Sequence, residues 1–105
     1  MINIAEEFTT TPGPRAIDEG PFSGEEFLND LLKPRFELAA EKNEKLLINL
    51  DGTEGYATSF LEAAFGGLTR IYGKDRVLAI LDFASVEEPY LIEEIINYIQ
   101  EANGN

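Results

Sequence analysis

The run Leu46-Leu47-Ile48-Asn49-Leu50 constrains this chain more than any other feature. It is nearly continuously apolar, so Lys45 to Asp51 reads as a strand with both faces covered. Parallel strands joined by helical crossovers produce that pattern. Asp51 to Tyr56 (DGTEGY) then forms a turn, in which Gly52 and Gly55 relieve the backbone. A helix follows from about Phe60 to Tyr72. Its apolar stripe is Phe60, Leu61, Ala64, Phe65, Leu68 and Ile71, and Gly73 ends it. Gly66 and Gly67 lie inside this helix, each costing about 1 kcal/mol of propensity relative to Ala. Close packing against a neighbouring backbone would offset that cost.

The flanking segments extend the alternation. Ile2 to Phe8 reads as a short strand, with Ile2 and Ile4 on one face. Thr9 to Gly24 carries Pro12, Pro14 and Pro21 and is rich in turns, with Arg15-Ala16-Ile17 as a short strand pairing back on the first. Ser23 to Asn43 reads as a helix opened by a Ser23/Glu26 capping box. Its stripe is Phe27, Leu28, Leu31, Leu32, Phe36 and Ala39, with a kink or break expected at Pro34. Arg76 to Phe83 reads as a third apolar strand. Ser85 to Ala102 reads as the last helix, whose start is either a Ser85/Glu88 capping box or Pro89 in the first turn. Asn103 to Asn105 reads as a frayed end. This order predicts one α/β domain over residues 1–105, with right-handed crossovers between parallel strands.

Composition narrows the chemistry. Twenty acidic against 8 basic residues give a net charge of -12, which repels nucleic acid and anionic lipid and favours a basic partner surface. Histidine and cysteine are both absent, removing the commonest general base, thiol chemistry and the commonest transition-metal ligands. No apolar run is long enough to span a membrane. MINIAEEF lacks the pattern of a secretion signal. With the absence of cysteine, this fits the cytoplasm.

The motifs point away from catalysis. INLDGTEG resembles the Asp-x-Asp-Gly-Thr motif of the haloacid dehalogenase phosphatases, but Asn49 stands where the nucleophile would be and cannot form an aspartyl-phosphate. Asp51, Glu54 and Glu62 are a carboxylate set for Mg²⁺ or Ca²⁺, without EF-hand spacing. The glycines spell no phosphate loop. An enzyme would have to rely on Asp51, Glu54 and Tyr56, with no base beside a nucleophile. Ser59 and Glu62 have capping-box spacing, worth about 1 kcal/mol. A serine at a helix start is also reachable by a kinase, and the first-turn amides would tolerate a phosphate.

The strand, turn and helix LLINLDGTEGYATSFLEAAFGGL resembles the central element of STAS domains, the fold of bacterial anti-sigma factor antagonists. TPGPR, GPFSGEEF, LDGTEGY and SFLEAAFGGL resemble, more closely, the STAS-like family of uncharacterised small bacterial domains. The resemblance implies a mixed sheet of about four strands with three main helices packed on it. It also implies a non-enzymatic, regulatory protein-interaction module whose partner is a histidine-kinase-like ATPase. Ser59 matches the family's phosphorylated position, with Thr58 the second hydroxyl. The antagonists usually carry aspartate before that serine and small residues after it, whereas here Thr58 precedes it and Phe60 and Leu61 follow. Partner binding is expected at Asp51, Gly52, Thr53, Glu54, Gly55, Tyr56 and Glu62, with no cofactor or metal. The alternative is a small-ligand or nucleotide sensor using the same turn.

Overall fold

Three strands pair in parallel, in the order β1-β2-β3, in the computed structural model, which describes residues 1–102. β1 (Ile2–Asn3) lies beside β2 (Leu46–Asn49), with Ile2 opposite Ile48. β3 (Leu81–Ala84) flanks the other side of β2, with Leu46 opposite Leu81 and Ile48 opposite Phe83. Side chains alternate along a strand. Ile2, Leu46, Ile48, Leu81 and Phe83 therefore share one face, and Asn3, Leu47, Asn49 and Asp82 share the other.

Only the first face is well covered. Ile2 and Ile48 are fully buried, whereas Leu47 is 37% exposed. The expectation of two covered faces is thus corrected. Both crossovers step the same way across the sheet, so connections of one hand bring their helices to one side.

The fourth strand expected at Arg15-Ala16-Ile17 does not form, so the described residues hold three parallel strands rather than a mixed sheet of about four. Pro12 and Pro14 lack the amides a ladder needs. Instead the Pro14 and Arg15 carbonyls accept from the Gly24 and Glu25 amides, capping a helix start, and Ile17–Glu19 makes a 3₁₀ turn. The first strand also stops early. The Asn3 side chain accepts from the Glu6 amide and opens α1 (Ile4–Glu7) where Ile4 to Phe8 reads as strand.

α2 (Gly24–Phe27) and α3 (Lys33–Lys42) are joined by a π turn, Leu28–Leu32. Ser23 caps this segment as expected, accepting from the Glu26 amide at 3.0 Å, while the Glu26 carboxylate accepts from Phe22 rather than Ser23. Pro34 does not break the helix. It follows the wider π turn, which gives its ring room and absorbs the missing donor. Asn43 ends α3 in the left-handed conformation, at φ 56°.

The second crossover repeats the device. α4 (Thr58–Leu61) and α5 (Gly67–Tyr72) flank a π turn at Glu62–Gly66. The extra residue rotates the stripe. Thr69 is buried, donating to the Phe65 carbonyl at 2.8 Å, and Ile71 is half exposed. α6 (Lys74–Ile80) then replaces the first part of the strand expected from Arg76, because a short apolar run does not by itself distinguish strand from buried helix. α7 (Tyr90–Glu101) begins after Pro89 rather than at Ser85, whose hydroxyl donates to the Glu88 carbonyl. The tail expectation at 103–105 lies outside the described residues.

The two crossovers meet in the core. Phe27 and Phe60 lie 5.9 Å apart, and Phe65 packs edge-on against Phe83 of β3. Ile95 and Ile99 of α7 complete one contiguous apolar cluster. Among the described residues no helix is long and apolar enough to cross a membrane.

Candidate functional site

Parallel strands all end on the same side of a sheet, and here the polar segments after β1, β2 and β3 gather at that end. Residues 51–56 are the centre. The two Asp51 carboxylate oxygens accept from the Val86 and Glu87 amides, each at 3.0 Å. Glu87 returns the contact, its carboxylate accepting from the Gly52 amide at 3.0 Å. The loops after β2 and β3 are therefore latched to each other in both directions. On the other side, the Glu54 amide donates to the Thr10 carbonyl at 2.8 Å, tying in the segment after α1.

The rest of the turn holds this arrangement. Thr53 Oγ1 accepts from the Gly55 amide. Gly52 and Gly55 have φ of 94° and 134°, the region that favours glycine. The Tyr56 hydroxyl donates to the Leu50 carbonyl at 2.9 Å, and its ring lies 5.8 Å from that of Phe60. Burial pushes the Tyr56 phenol up to about 12, and the neighbouring Asp51 adds to this.

Ser59 and Glu62 do not form the expected capping box. α4 begins two residues earlier, with Ala57 at the cap position, and no side chain caps it. Thr58 is exposed in the first position, Ser59 is half buried in the second, and Phe60 turns fully inward. Glu62 is engaged elsewhere. Its oxygens bind Arg15 at 2.5 Å and Arg70 at 2.8 Å, pinning the proline-rich loop to the second crossover. The hydrogen bond from Arg70 opposes the cost of burial and, with Arg15, holds the Glu62 carboxyl below its ordinary range. Glu62 thus acts as a structural tie between these two segments. The carboxylate set of Asp51, Glu54 and Glu62 does not converge either. Among the described residues no three His, Cys, Asp or Glu side chains are grouped to hold a metal ion.

The structure adds a feature that periodicity did not reveal. Val86 is 83% exposed, the most exposed of the large apolar side chains, and Tyr90 nearby is 56% exposed. Val86 stands on the loop that Asp51 latches, with Glu87 and Glu88 after it. The available signal was a single apolar residue inside the polar, proline-containing segment Ser85-Val86-Glu87-Glu88-Pro89.

Searches against curated proteins and against solved structures give no match. A family model described as STAS-like domain of unknown function (DUF4325) matches residues 23–91, more than half of the chain. The matched span runs from the Ser23 cap to the first turn of α7, and so takes in both crossovers, β2, β3 and the latched loops. With this order of elements and this match, the chain belongs to that STAS-like family.

Proposed function

We propose that this chain is a non-enzymatic regulatory interaction module, and that a protein partner docks on the rim formed by residues 51–56 and 85–90. The observation that carries this reading is Val86, an apolar side chain 83% exposed on a loop whose Val86 and Glu87 amides donate two hydrogen bonds to Asp51. An exposed apolar tip on a pre-organised loop binds at low entropic cost, and its burial supplies affinity. Glu87 and Glu88, which follow it in the chain, and Glu54 on the turn favour a basic partner surface. A histidine-kinase-like ATPase is the partner that the family resemblance suggests.

The contact area differs from the sequence expectation. The helix after the turn buries Phe60, Leu61, Ala64 and Phe65, so its apolar residues serve the core. The free surface lies on the two loops. Phosphorylation at Ser59 draws no support from its half-buried place in the first turn, and docking stands without it. The small-ligand reading is weaker for a chemical reason. The amides of Gly52, Val86 and Glu87, which would cradle a phosphate, already bind the chain's own carboxylates.

The test is affinity capture from a lysate of the source organism, quantified by mass spectrometry, with wild type, Val86→Lys and the remote control Lys33→Ala. A specific protein should be retained by wild type and control and fall about tenfold or more with Val86→Lys. Equal recovery with all three baits would refute docking at this rim.

A further inference from the structure

The two outer strands of the sheet treat their free edges differently. In a parallel ladder, alternate residues direct both backbone groups to one neighbour, and the residues between them direct theirs to the other side. On β1 the Asn3 amide points away from β2 and is already taken, donating to the Glu7 carboxylate at 2.9 Å. On β3 the Leu50 amide donates to the Ala84 carbonyl at 2.8 Å, so Asp82 and Ala84 are the residues whose backbone faces β2. The Phe83 amide and carbonyl and the Leu81 carbonyl therefore face outward, and they make no hydrogen bond among the described residues. Backbone groups without a protein partner must meet water, so this edge is open. Its residues, Leu81-Asp82-Phe83-Ala84, include no lysine or proline that would keep another strand away.

The side chains beside this edge define what fits it. Phe83 lies on the helix-covered face, packed on Phe65. Asp82 stands exposed on the other face, opposite Leu47. The charge there is of one sign, because no lysine or arginine follows Arg76 in the chain, while Asp82, Glu87 and Glu88 do. A second copy is a poor occupant. Two β3 edges paired antiparallel about Phe83 would make their Asp82 side chains diagonal neighbours on one face, and like charges so placed destabilise the pair. A lysine or arginine in that position reverses the sign of the interaction.

We propose that the protein partner adds an extended segment to the outer edge of β3, pairing with the Phe83 amide and carbonyl and setting a lysine or arginine beside Asp82. The proposal rests on reading residues 85–90 as a docking surface, into which β3 leads at Ser85, and it names the form and the charge of what docks there. Backbone hydrogen bonds supply affinity for an extended chain, and the side chain beside Asp82 supplies selection.

Amide hydrogen exchange measured by NMR on the purified chain tests this. The probe is a capped hexapeptide of alternating valine and lysine, and its control alternates valine and glutamate. Titrated from about 0.1 mM to about 5 mM, the range of weak affinities, the lysine peptide should slow exchange at Phe83 several-fold and the glutamate peptide should not. Asp82→Lys, an exposed position that spares the core, should bind the lysine peptide about fivefold more weakly. Glu6→Lys, the same change in charge on α1 beside the other edge, should bind it as wild type does. The Ile48 amide, bonded within the sheet, reports that each variant is folded. Unchanged exchange at Phe83, equal slowing by the two peptides, or equal binding by Asp82→Lys and wild type would each overturn the proposal. A lysine peptide that perturbs Val86 and leaves Phe83 unchanged would also overturn it, while the rim reading would stand on its own capture test.

Discussion

Gly24 at the start of α2 lies against the Phe60 carbonyl of α4 so closely that a Cβ on Gly24 would stand 2.4 Å from that oxygen. The two crossovers therefore touch backbone to backbone at the point where Phe27 and Phe60 meet. Gly24→Ala would force the helices apart and should destabilise the chain by about 2–3 kcal/mol. Gly67 makes a useful contrast. Its added Cβ would meet only the Leu28 Cδ2, at 2.7 Å, the end of a side chain that can turn. Gly67→Ala should change stability by no more than about 1 kcal/mol, because the gain in helix propensity offsets the shifted rotamer. Urea denaturation of both variants measures the difference, and equal losses would contradict the backbone contact.

Asp51 latches the loop that carries Val86. In Asp51→Ala the Val86 and Glu87 amides lose their acceptors, and the Gly52–Glu87 contact is left to hold the loops alone. The expected cost is about 1–2 kcal/mol. Hydrogen exchange at those two amides should accelerate, while exchange in β2 should change only as far as global stability does. Unchanged protection at Val86 and Glu87 would mean that the loop is held by something other than Asp51.

Glu62 ties the Arg15 loop to the second crossover, and its carboxyl is held below 4.5. The unfolded chain takes up this proton at higher pH than the native chain. The tie is therefore fully present above about pH 4.5 and is lost as pH falls through the lowered native value. Glu62→Gln should be less stable at neutral pH and show a shallower loss of stability below that point. The difference should be small, because both arginines are partly exposed and solvent screens the pairs. Stability measured between pH 3 and pH 7, about the range over which carboxyls titrate, checks it.

Tyr56 brings the same linkage to alkaline pH with the opposite sign. Its phenol is raised from 10.0 to about 12, so it stays protonated in the native chain where the unfolded chain ionises. Its contribution is complete below pH 10 and is lost as pH rises towards 12. Tyr56→Phe should remove part of that alkaline loss. At neutral pH it should cost about 1 kcal/mol, because the Leu50 carbonyl loses its donor.

Much of this fold was legible in the residues. Leu46 to Leu50 identified the central strand, and Asn43 and Gly73 marked helix ends. Gly52 and Gly55 marked a turn that does need glycine. The misread stretches share a cause, since each has a local pattern that a neighbour overrode. Ile4 to Phe8 read as the rest of an alternating strand, yet the Asn3 side chain opens α1 there. Ser59 and Glu62 have capping spacing, yet Arg15 and Arg70 hold the carboxylate. Ile71 fell on the predicted stripe because a uniform helical period was projected through the π turn at Glu62–Gly66. A projection has no means of registering one added residue, and Thr69 is buried instead. The polar turn from Asp51 to Tyr56 was also legible. The exposed Val86 was missed because exposure on a latched loop has no period.

The left-to-right order of the strands is also the order in which they are made. As the chain leaves the ribosome, β1 waits for β2, and β3 then finds its single neighbour already present. No strand has to be inserted between two others that have paired first. Each crossover can close on the growing edge as it is completed, which keeps the search for partners local at every stage of synthesis. The Val86 loop comes after β3, so its latch to Asp51 closes on a sheet that is already complete.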